Sequence, residues 1–131
     1  MTKMTPININ RSNIKFHNAL SEMPIGQLKT EITEDILGNY EIVILDIEKV
    51  LNRIHNGKIY KEFVMDIKMN NLINFINEEN YLIPPIIRSI DGLSWAIIDG
   101  QHRLGLFIYL GITTIPFLIR KDQVKYSNSL L

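Results

Sequence analysis

Short apolar runs separated by turn residues dominate the chain. Five of them predict strands at residues 27–32, 40–45, 86–89, 94–98 and 113–119. The run at 41–45 is continuous and largely β-branched, which is typical of a strand buried on both faces. Asp91-Gly92 predicts a hairpin between the third and fourth strands, and Pro116 indicates that the last strand lies at an edge or contains a bulge.

Two segments carry the helical period instead. Over residues 63–80, apolar side chains recur at spacings of three and four: Met65, Met69, Leu72 or Ile73, and Ile76. Glu78-Glu79-Asn80 ends this helix, and Pro84-Pro85 prevents its continuation. A second helix is predicted over 104–110, with Leu104, Phe107 and Ile108 facing the sheet and Gly111 as the left-handed residue that stops it. Asp46 is expected to cap one further helical turn before Leu51.

The two ends of the chain carry weaker patterns. Ile7 and Ile9 alternate with asparagines, which indicates an edge strand, and residues 13–22 read as a short helix. Residues 121–131 are polar and are expected to fray. The sequence therefore predicts an α+β fold: an N-terminal extension (1–40) with an edge strand or hairpin, a domain (41–120) in which helices pack on a small mixed β-sheet, and a polar tail (121–131).

Composition limits the classes of function. The chain has 131 residues, 46% of them apolar and 21% charged, which suits one domain with a substantial core. It has no cysteine, so disulfides and thiolate chemistry are excluded. Fourteen basic residues balance fourteen acidic ones, which gives no overall charge support to DNA binding. No apolar run approaches a membrane span, and the N-terminus does not resemble a signal peptide, so we expect a cytoplasmic protein without membrane contact.

The side chains best suited to ligand binding or catalysis lie in one stretch of five consecutive residues: Asp99, Gly100, Gln101, His102 and Arg103. A strand that passes through a glycine turn into a helix N-terminus directs backbone N–H groups and the positive end of the helix dipole to one point, which favours an anion. His102 and Arg103 add side-chain donors there, and Arg can hold a phosphate bidentately. The alternative is structural: Asp99 caps the helix and Arg103 pairs with a surface acid. The turn alone leaves both interpretations open.

Residues 95–119 resemble the ParB/sulfiredoxin superfamily, whose signature is a strand, a Gly-x-x-Arg turn, a helix, Leu-Gly-x-x-Thr-Ile-Pro and a closing strand. Here the turn is Gly100-Gln101-His102-Arg103, and the second motif runs from Leu110 to Pro116. The order of elements extends the likeness over residues 41–120. The resemblance implies a ParB/sulfiredoxin-like fold in which Gly100, Gln101, His102 and Arg103 bind the phosphates of ATP or CTP, usually with a divalent ion. Lys68 stands where sulfiredoxin-like sequences carry a phosphate-contacting lysine; the alternative is a solvated lysine.

Residues that differ from the family pattern restrict which of the family's reactions this chain could catalyse. Sulfiredoxins need a cysteine between the glycine and the histidine of the turn, where this chain has Gln101, so sulfinic acid reduction is excluded. Chromosome-partition ParB proteins have a glutamate there that helps to hydrolyse CTP, and a neutral amide cannot serve as that base. Those proteins also carry a downstream helix-turn-helix domain, which has no counterpart here. The Asp-Gly-Gln-His-Arg motif most resembles the corresponding motif of DndB-type proteins, which belong to DNA phosphorothioation systems, and of ParB-like domains of mobile elements.

Three classes of function follow. The first is a nucleotide-binding domain that also hydrolyses the nucleotide or transfers its phosphate, with Asp99 as Mg²⁺ ligand or base, His102 as a second catalytic group, and Lys68 on the outer phosphates. Glu62 and Asp66, one helical turn apart, are additional candidate acids in this scheme; a solvated helix face is the alternative that the sequence favours for them. The second is a DNA-associated regulator or nuclease module. The third is a degenerate fold that binds a partner protein. Candidate partners are a nucleotide, DNA, a DNA-bound protein and a second copy of the chain.

Overall fold

The computed structural model of the chain describes residues 9–18, 39–54 and 66–131. Over these ranges the protein is a small α+β domain, as the sequence predicts, and its strands form two sheets. The strands are β1 (Lys15–Phe16), β2 (Tyr40–Asp46), β3 (Tyr81–Leu82), β4 (Ile86–Ser89), β5 (Trp95–Asp99) and β6 (Thr114–Arg120). The helices are α1 (Ile47–Leu51), α2 (Ile67–Asn77) and α3 (Gln101–Tyr109), with 3-10 helices at Arg11–Asn13 and Lys121–Leu130. None of these helices is long and apolar enough to cross a membrane.

The larger sheet has four strands in the order β2-β6-β4-β5 and is mixed. β2 and β6 are antiparallel along their whole length, from Tyr40 opposite Arg120 to Asp46 opposite Thr114. β4 and β5 form the predicted hairpin, whose turn is stabilised by the Asp91 carboxylate accepting from the backbone N–H groups of Leu93 and Ser94. A parallel contact between β4 and β6 joins the two pairs. The hairpin therefore delivers β5, and the turn that follows it, to one side of the sheet.

One buried cluster joins the helices to this sheet. Met69, Ile73 and Ile76 of α2 are buried in it, as their spacing predicts, and so are Leu104 and Phe107 of α3. The sheet contributes Leu45, Ile87, Trp95, Ile97, Ile115, Phe117 and Ile119. Each such side chain stabilises the fold by about 1.5–3 kcal/mol through removal of apolar surface from water. The core thereby sets the positions of α2 and α3, which form the walls of the site described below.

The prediction that β2 is buried on both faces is wrong. Among the strands that the structure describes, β2 is the outermost of the four-stranded sheet, and the Ile44 side chain is 65% exposed. Leu45, the next residue along the strand, is buried in the core on the opposite face. A β-branched run indicates a strand, but how many of its faces are covered depends on elements that are distant in sequence.

Pro116 lies in an inner strand and not at an edge, which corrects the prediction. Leu118, two residues later, donates its N–H to the Pro85 carbonyl on the β4 side of the strand. N–H groups of alternate residues point the same way, so the missing N–H of Pro116 also faces that side. The parallel contact with β4 occurs only at Ile86 and Leu118, so the proline removes no bond from the ladder with β2.

The N-terminal prediction of a helix over 13–22 is wrong where the structure describes it. Arg11–Asn13 form a 3-10 turn, and Lys15–Phe16 form β1, which pairs in parallel with β3. The Phe16 ring then packs edge-on against Phe107 of α3, with ring centroids 5.4 Å apart. Ile9 and Asn10 are not in a strand. The strand predicted at 27–32 lies outside the described residues.

The C-terminal segment is ordered against the domain, not frayed as predicted. Residues Lys121–Leu130 form a 3-10 helix in which Ser127 and Leu130 are buried. The Gln123 side chain both accepts from the N–H of Ser89 and donates to its carbonyl, which extends the hydrogen bonding of β4. Val124, Ser127 and Leu130 recur every third residue, which is the period of a 3-10 helix. This three-residue spacing is the sequence feature that indicates a packed 3-10 helix here.

Replacing Leu130 tests whether this segment contributes to stability. Leu130 is fully buried, so we expect Leu130→Ala to lower the free energy of unfolding by about 2 kcal/mol or more through lost burial and a residual cavity. The neighbouring Leu131 is 58% exposed, and Leu131→Ala serves as the matched control, with an expected change of less than about 0.5 kcal/mol. Urea denaturation measures both. Equal effects from the two substitutions would contradict the packed segment.

Candidate functional site

The start of α3 is the centre of the site. β5 ends at Asp99, Gly100 turns the chain with φ +105°, and the helix begins at Gln101. Its start is three residues earlier than predicted, so Gln101, His102 and Arg103 form the first helical turn. Gly100 is the N-cap residue, and no side chain caps the helix. Because the first N–H groups of a helix have no partner within it, an uncapped start attracts an anion.

Asp99 does not cap the helix, which removes one structural alternative. It is the last residue of β5, and its backbone pairs with Ile86 in the sheet. Among the described residues its carboxylate has no hydrogen bond or ion pair. A half-buried carboxylate without such a partner, beside a helix N-terminus, is available to a cation.

Space as well as backbone conformation requires the glycine at position 100. A Cβ atom there would lie 2.8 Å from Cβ and 2.9 Å from Cα of Pro85, and 2.9 Å from Nη2 of Arg103. The positive φ adds strain for any other residue. The Arg103 guanidinium therefore sits against the Gly100 backbone, at the N-terminus of α3 and not out in solvent.

Arg103 is the least satisfied polar side chain in the described part of the protein. Its Nε and Nη2 atoms are buried and have no hydrogen-bond partner. Burial lowers the pKa of the guanidinium, and the negative charge of Asp99 opposes that shift. The alternative in which Arg103 pairs with a surface acid is therefore wrong. Buried donors without acceptors cost about 1–3 kcal/mol each, which a bound anion would relieve.

A cleft between α2 and α3 brings the predicted binding residues together. Its volume is about 370 Å³, within the roughly 300–1,000 Å³ of small-molecule sites. The lining residues are Lys68, Asn71, Leu72 and Phe75 from α2, and Asp99, Gly100, Gln101, His102 and Arg103 from the turn. We refer to it as the α2–α3 cleft. Lys68, distant in sequence from the turn, thus lies on the wall that faces it.

His102 joins the beginnings of the two helices. Its Nε2 lies 3.1 Å from Oδ2 of Asp66, the N-cap residue of α2, whose other oxygen accepts from the Met69 N–H at 2.7 Å. The Met69 hydrogen bond and then the His102 contact lower the pKa of Asp66. Both carboxylate oxygens are engaged, so Asp66 is a structural link between the helices. α2 begins at Ile67, so Asp66 precedes the helix and does not lie on its face, contrary to the prediction of a helix from residue 63.

One of the two additional candidate acids, Glu62, lies outside the described residues. The contact between Asp66 and His102 was missed because the predicted helix began at 63, which hid the capping position. An Asp three residues before the buried Met69 is an N-cap signal that would have placed the helix start correctly.

The lining of the α2–α3 cleft offers a divalent ion a single carboxylate ligand. Among the described residues no group of three or more His, Asp or Glu side chains is placed to hold a metal. Asp99 is the carboxylate in the cleft lining. Mg²⁺ is commonly held by one or two carboxylates together with substrate phosphates and water, which this single ligand suits.

A second cavity, of about 260 Å³, lies at the other end of α3, near Gly111. Asp46 and Glu48 of the α1 region line it together with apolar residues. The C-terminal end of a helix carries partial negative charge, and the two carboxylates add to it. Because this environment repels anions, a phosphate group would favour the α2–α3 cleft.

Comparison of the chain with protein-family models, curated proteins and solved structures gives no match. The resemblance to the ParB/sulfiredoxin superfamily, the nucleotide and the DNA-associated alternative stay predictions at this point. The geometry of the α2–α3 cleft is therefore the basis on which a function can be argued.

Two glycines at the ends of α3 make a matched pair for testing the turn. Both have positive φ, but a Cβ at Gly111 would meet no atom within 4 Å, whereas one at Gly100 would collide with Pro85. We expect Gly111→Ala to destabilise the fold by roughly 1 kcal/mol and Gly100→Ala by roughly 1–3 kcal/mol more, from the added overlap. Thermal or urea unfolding gives both values. Equal losses would contradict the close packing of Pro85 on the turn.

The link between Asp66 and His102 predicts a pH dependence. A carboxyl whose pKa is lower in the folded than in the unfolded state stabilises the fold above its unfolded pKa and loses that contribution as the pH falls through the folded pKa. We expect the protein to be more stable than Asp66→Asn at neutral pH, because asparagine still caps the helix but carries no charge. The difference should vanish in acid. A difference that is constant with pH, measured by urea denaturation, would contradict the assignment.

Proposed function

We propose that the protein binds the phosphate groups of a nucleotide, ATP or CTP, in the α2–α3 cleft. The observation that carries the proposal is the Arg103 side chain, whose buried Nε and Nη2 have no acceptor beside an uncapped helix N-terminus. Two unsatisfied donors, a fixed positive charge and the α3 dipole meet at one place, and a phosphate satisfies all of them.

Each residue of the turn has a separate task in this proposal. Gly100 permits the backbone to approach the ligand closely, and Gln101 and His102 contribute donors at the start of α3. Arg103 provides the fixed charge and forked hydrogen bonds that suit phosphate oxygens. Lys68 approaches from the opposite wall and neutralises the outer phosphates as a flexible point charge.

The order of elements supports the relation to the ParB/sulfiredoxin superfamily that we propose with this function. β2 and α1 precede α2, the β4–β5 hairpin leads into the Gly-x-x-Arg turn, and α3 leads into β6. This is the order expected from the resemblance over residues 41–120. The nucleotide enters the argument through that resemblance, whereas the anion is argued from the cleft itself.

A nucleotide in this cleft would bring Mg²⁺ to Asp99, and the ion would neutralise charge on the phosphates. The candidate groups for turnover are then Asp99 and His102. Asp66 holds the His102 ring through Nε2. Gln101 would orient the ligand through its amide without serving as a base. Hydrolysis or phosphoryl transfer, if it occurs, should therefore depend on Asp99 and His102.

Arg103→Met is expected to have opposite effects on stability and on binding. Methionine keeps the apolar stem but removes the unpaired buried donors, so the free protein should be more stable by about 1–3 kcal/mol. Binding of ATP or CTP should weaken about 10- to 100-fold, since one charged hydrogen-bonding group is lost. Urea unfolding measures the first effect, and calorimetric titration in the presence of Mg²⁺ measures the second.

Arg88→Met is the matched control, because Arg88 is exposed on β4 and does not line the cleft. It should leave binding unchanged. Thermal shifts with ATP, CTP, GTP and ADP, with and without Mg²⁺, give the base preference. The proposal fails if no nucleotide raises the melting temperature of the unaltered protein. It also fails if the Arg103→Met variant binds nucleotide as tightly as the unaltered protein.

A further inference from the structure

The α2 wall of the cleft changes character along its length. Lys68, Asn71, Leu72 and Phe75 are spaced as i, i+3, i+4 and i+7, so they form one stripe along the helix. Lys68 and Asn71 are exposed, whereas Leu72 and Phe75 are half-buried and contact the core. The stripe runs from a charged end to an aromatic end over roughly 10 Å of helix.

The charged end of this stripe is the one next to the turn. The contact between His102 and Asp66 brings the start of α2 to the start of α3, so Lys68 lies at the same end of the cleft as the predicted phosphate site. Phe75 lies two helical turns further along α2. A ligand whose phosphates occupy the turn therefore has space for its remaining part against Leu72 and Phe75.

An inorganic anion bound at the turn would leave the part of the cleft beside Leu72 and Phe75 filled with water. The exposed portion of the Phe75 ring is an apolar surface suited to a planar group, and base–aromatic stacking tolerates any nucleobase because each has a π-face. Asn71 lies one turn before Phe75 and carries both a donor and an acceptor in its amide. A ring on Phe75 with a polar edge at Asn71 matches a nucleoside better than a phosphorylated sugar or peptide.

We propose that Leu72, Phe75 and Asn71 form the nucleoside subsite of the cleft, with the base against Phe75 and Leu72 and its polar edge at Asn71. This inference rests on the proposed function, since it takes the phosphates to lie at Gly100–Arg103. It makes Phe75 and Asn71 the residues that distinguish a nucleotide from a bare polyphosphate. Arg103 and Lys68 hold the phosphates of either ligand.

Calorimetric titration of the full chain with ATP, CTP and inorganic tripolyphosphate, each with Mg²⁺, tests the subsite. The unaltered protein should bind one of the nucleotides at least about tenfold more tightly than tripolyphosphate. Phe75→Leu, which keeps an apolar side chain, should reduce that preference about fivefold or more with tripolyphosphate affinity unchanged. Asn71→Ala alters an exposed residue and should act in the same direction without affecting folding.

Phe16→Leu is the matched control, because Phe16 is also a half-buried aromatic packed against the core but does not line the cleft. It should leave both affinities unchanged. Equal affinities of the unaltered protein for nucleotide and tripolyphosphate would contradict the nucleoside subsite but not the proposed phosphate binding. Equal losses of affinity for both ligands in Phe75→Leu and Asn71→Ala would have the same meaning. If neither ligand binds, or if Arg103→Met leaves tripolyphosphate affinity intact, the proposed function itself is wrong.

Discussion

The close approach of Pro85 to the backbone at Gly100 is the contact on which the site depends. A side chain at position 100 would overlap Pro85 and the Arg103 guanidinium, so the chain turns there with a positive φ and no Cβ. That turn ends β5, begins α3 and leaves the helix without a side-chain cap. Because helix N-termini attract negative charge, the backbone geometry that closes the sheet onto α3 is also the basis of the phosphate site that we propose.

The buried Nε and Nη2 atoms of Arg103, which have no hydrogen-bond partner, lower the stability of the fold. Hydrogen bonds satisfy most buried polar groups in folded proteins, and exceptions tend to lie at sites with a function. Here the buried donors lie beside the negative charge of Asp99, yet no ion pair forms between the two residues. A ligand with phosphate oxygens, accompanied by a cation, would resolve both charges at once. In the function that we propose, the cost of leaving these donors unpaired is recovered when the ligand binds.

The walls of the cleft are held by packing that lies outside it. Apolar side chains of α2 and α3 enter the same core as the four-stranded sheet, and Asp66 connects the two helix starts through His102. Relative movement of α2 and α3 would have to break both polar and apolar contacts. The spacing between Lys68 and the turn is in this way a property of the whole domain.

The periodic elements, and the choice of residues 99–103 as the candidate site, follow from the sequence alone. The hairpin at Asp91-Gly92, the buried stripe of α2 and the termination of α3 at Gly111 follow from local periods and turn residues, and they are found in the structure. The exposure of Ile44 on β2, the packing of the C-terminal segment and the contact of Asp66 with His102 could be read only from the folded structure. These properties depend on which distant surfaces meet, and local patterns do not contain that information. For the same physical reason, the sequence identified Arg103 as a candidate anion ligand, whereas its burial without a partner emerged only from the packing around Gly100.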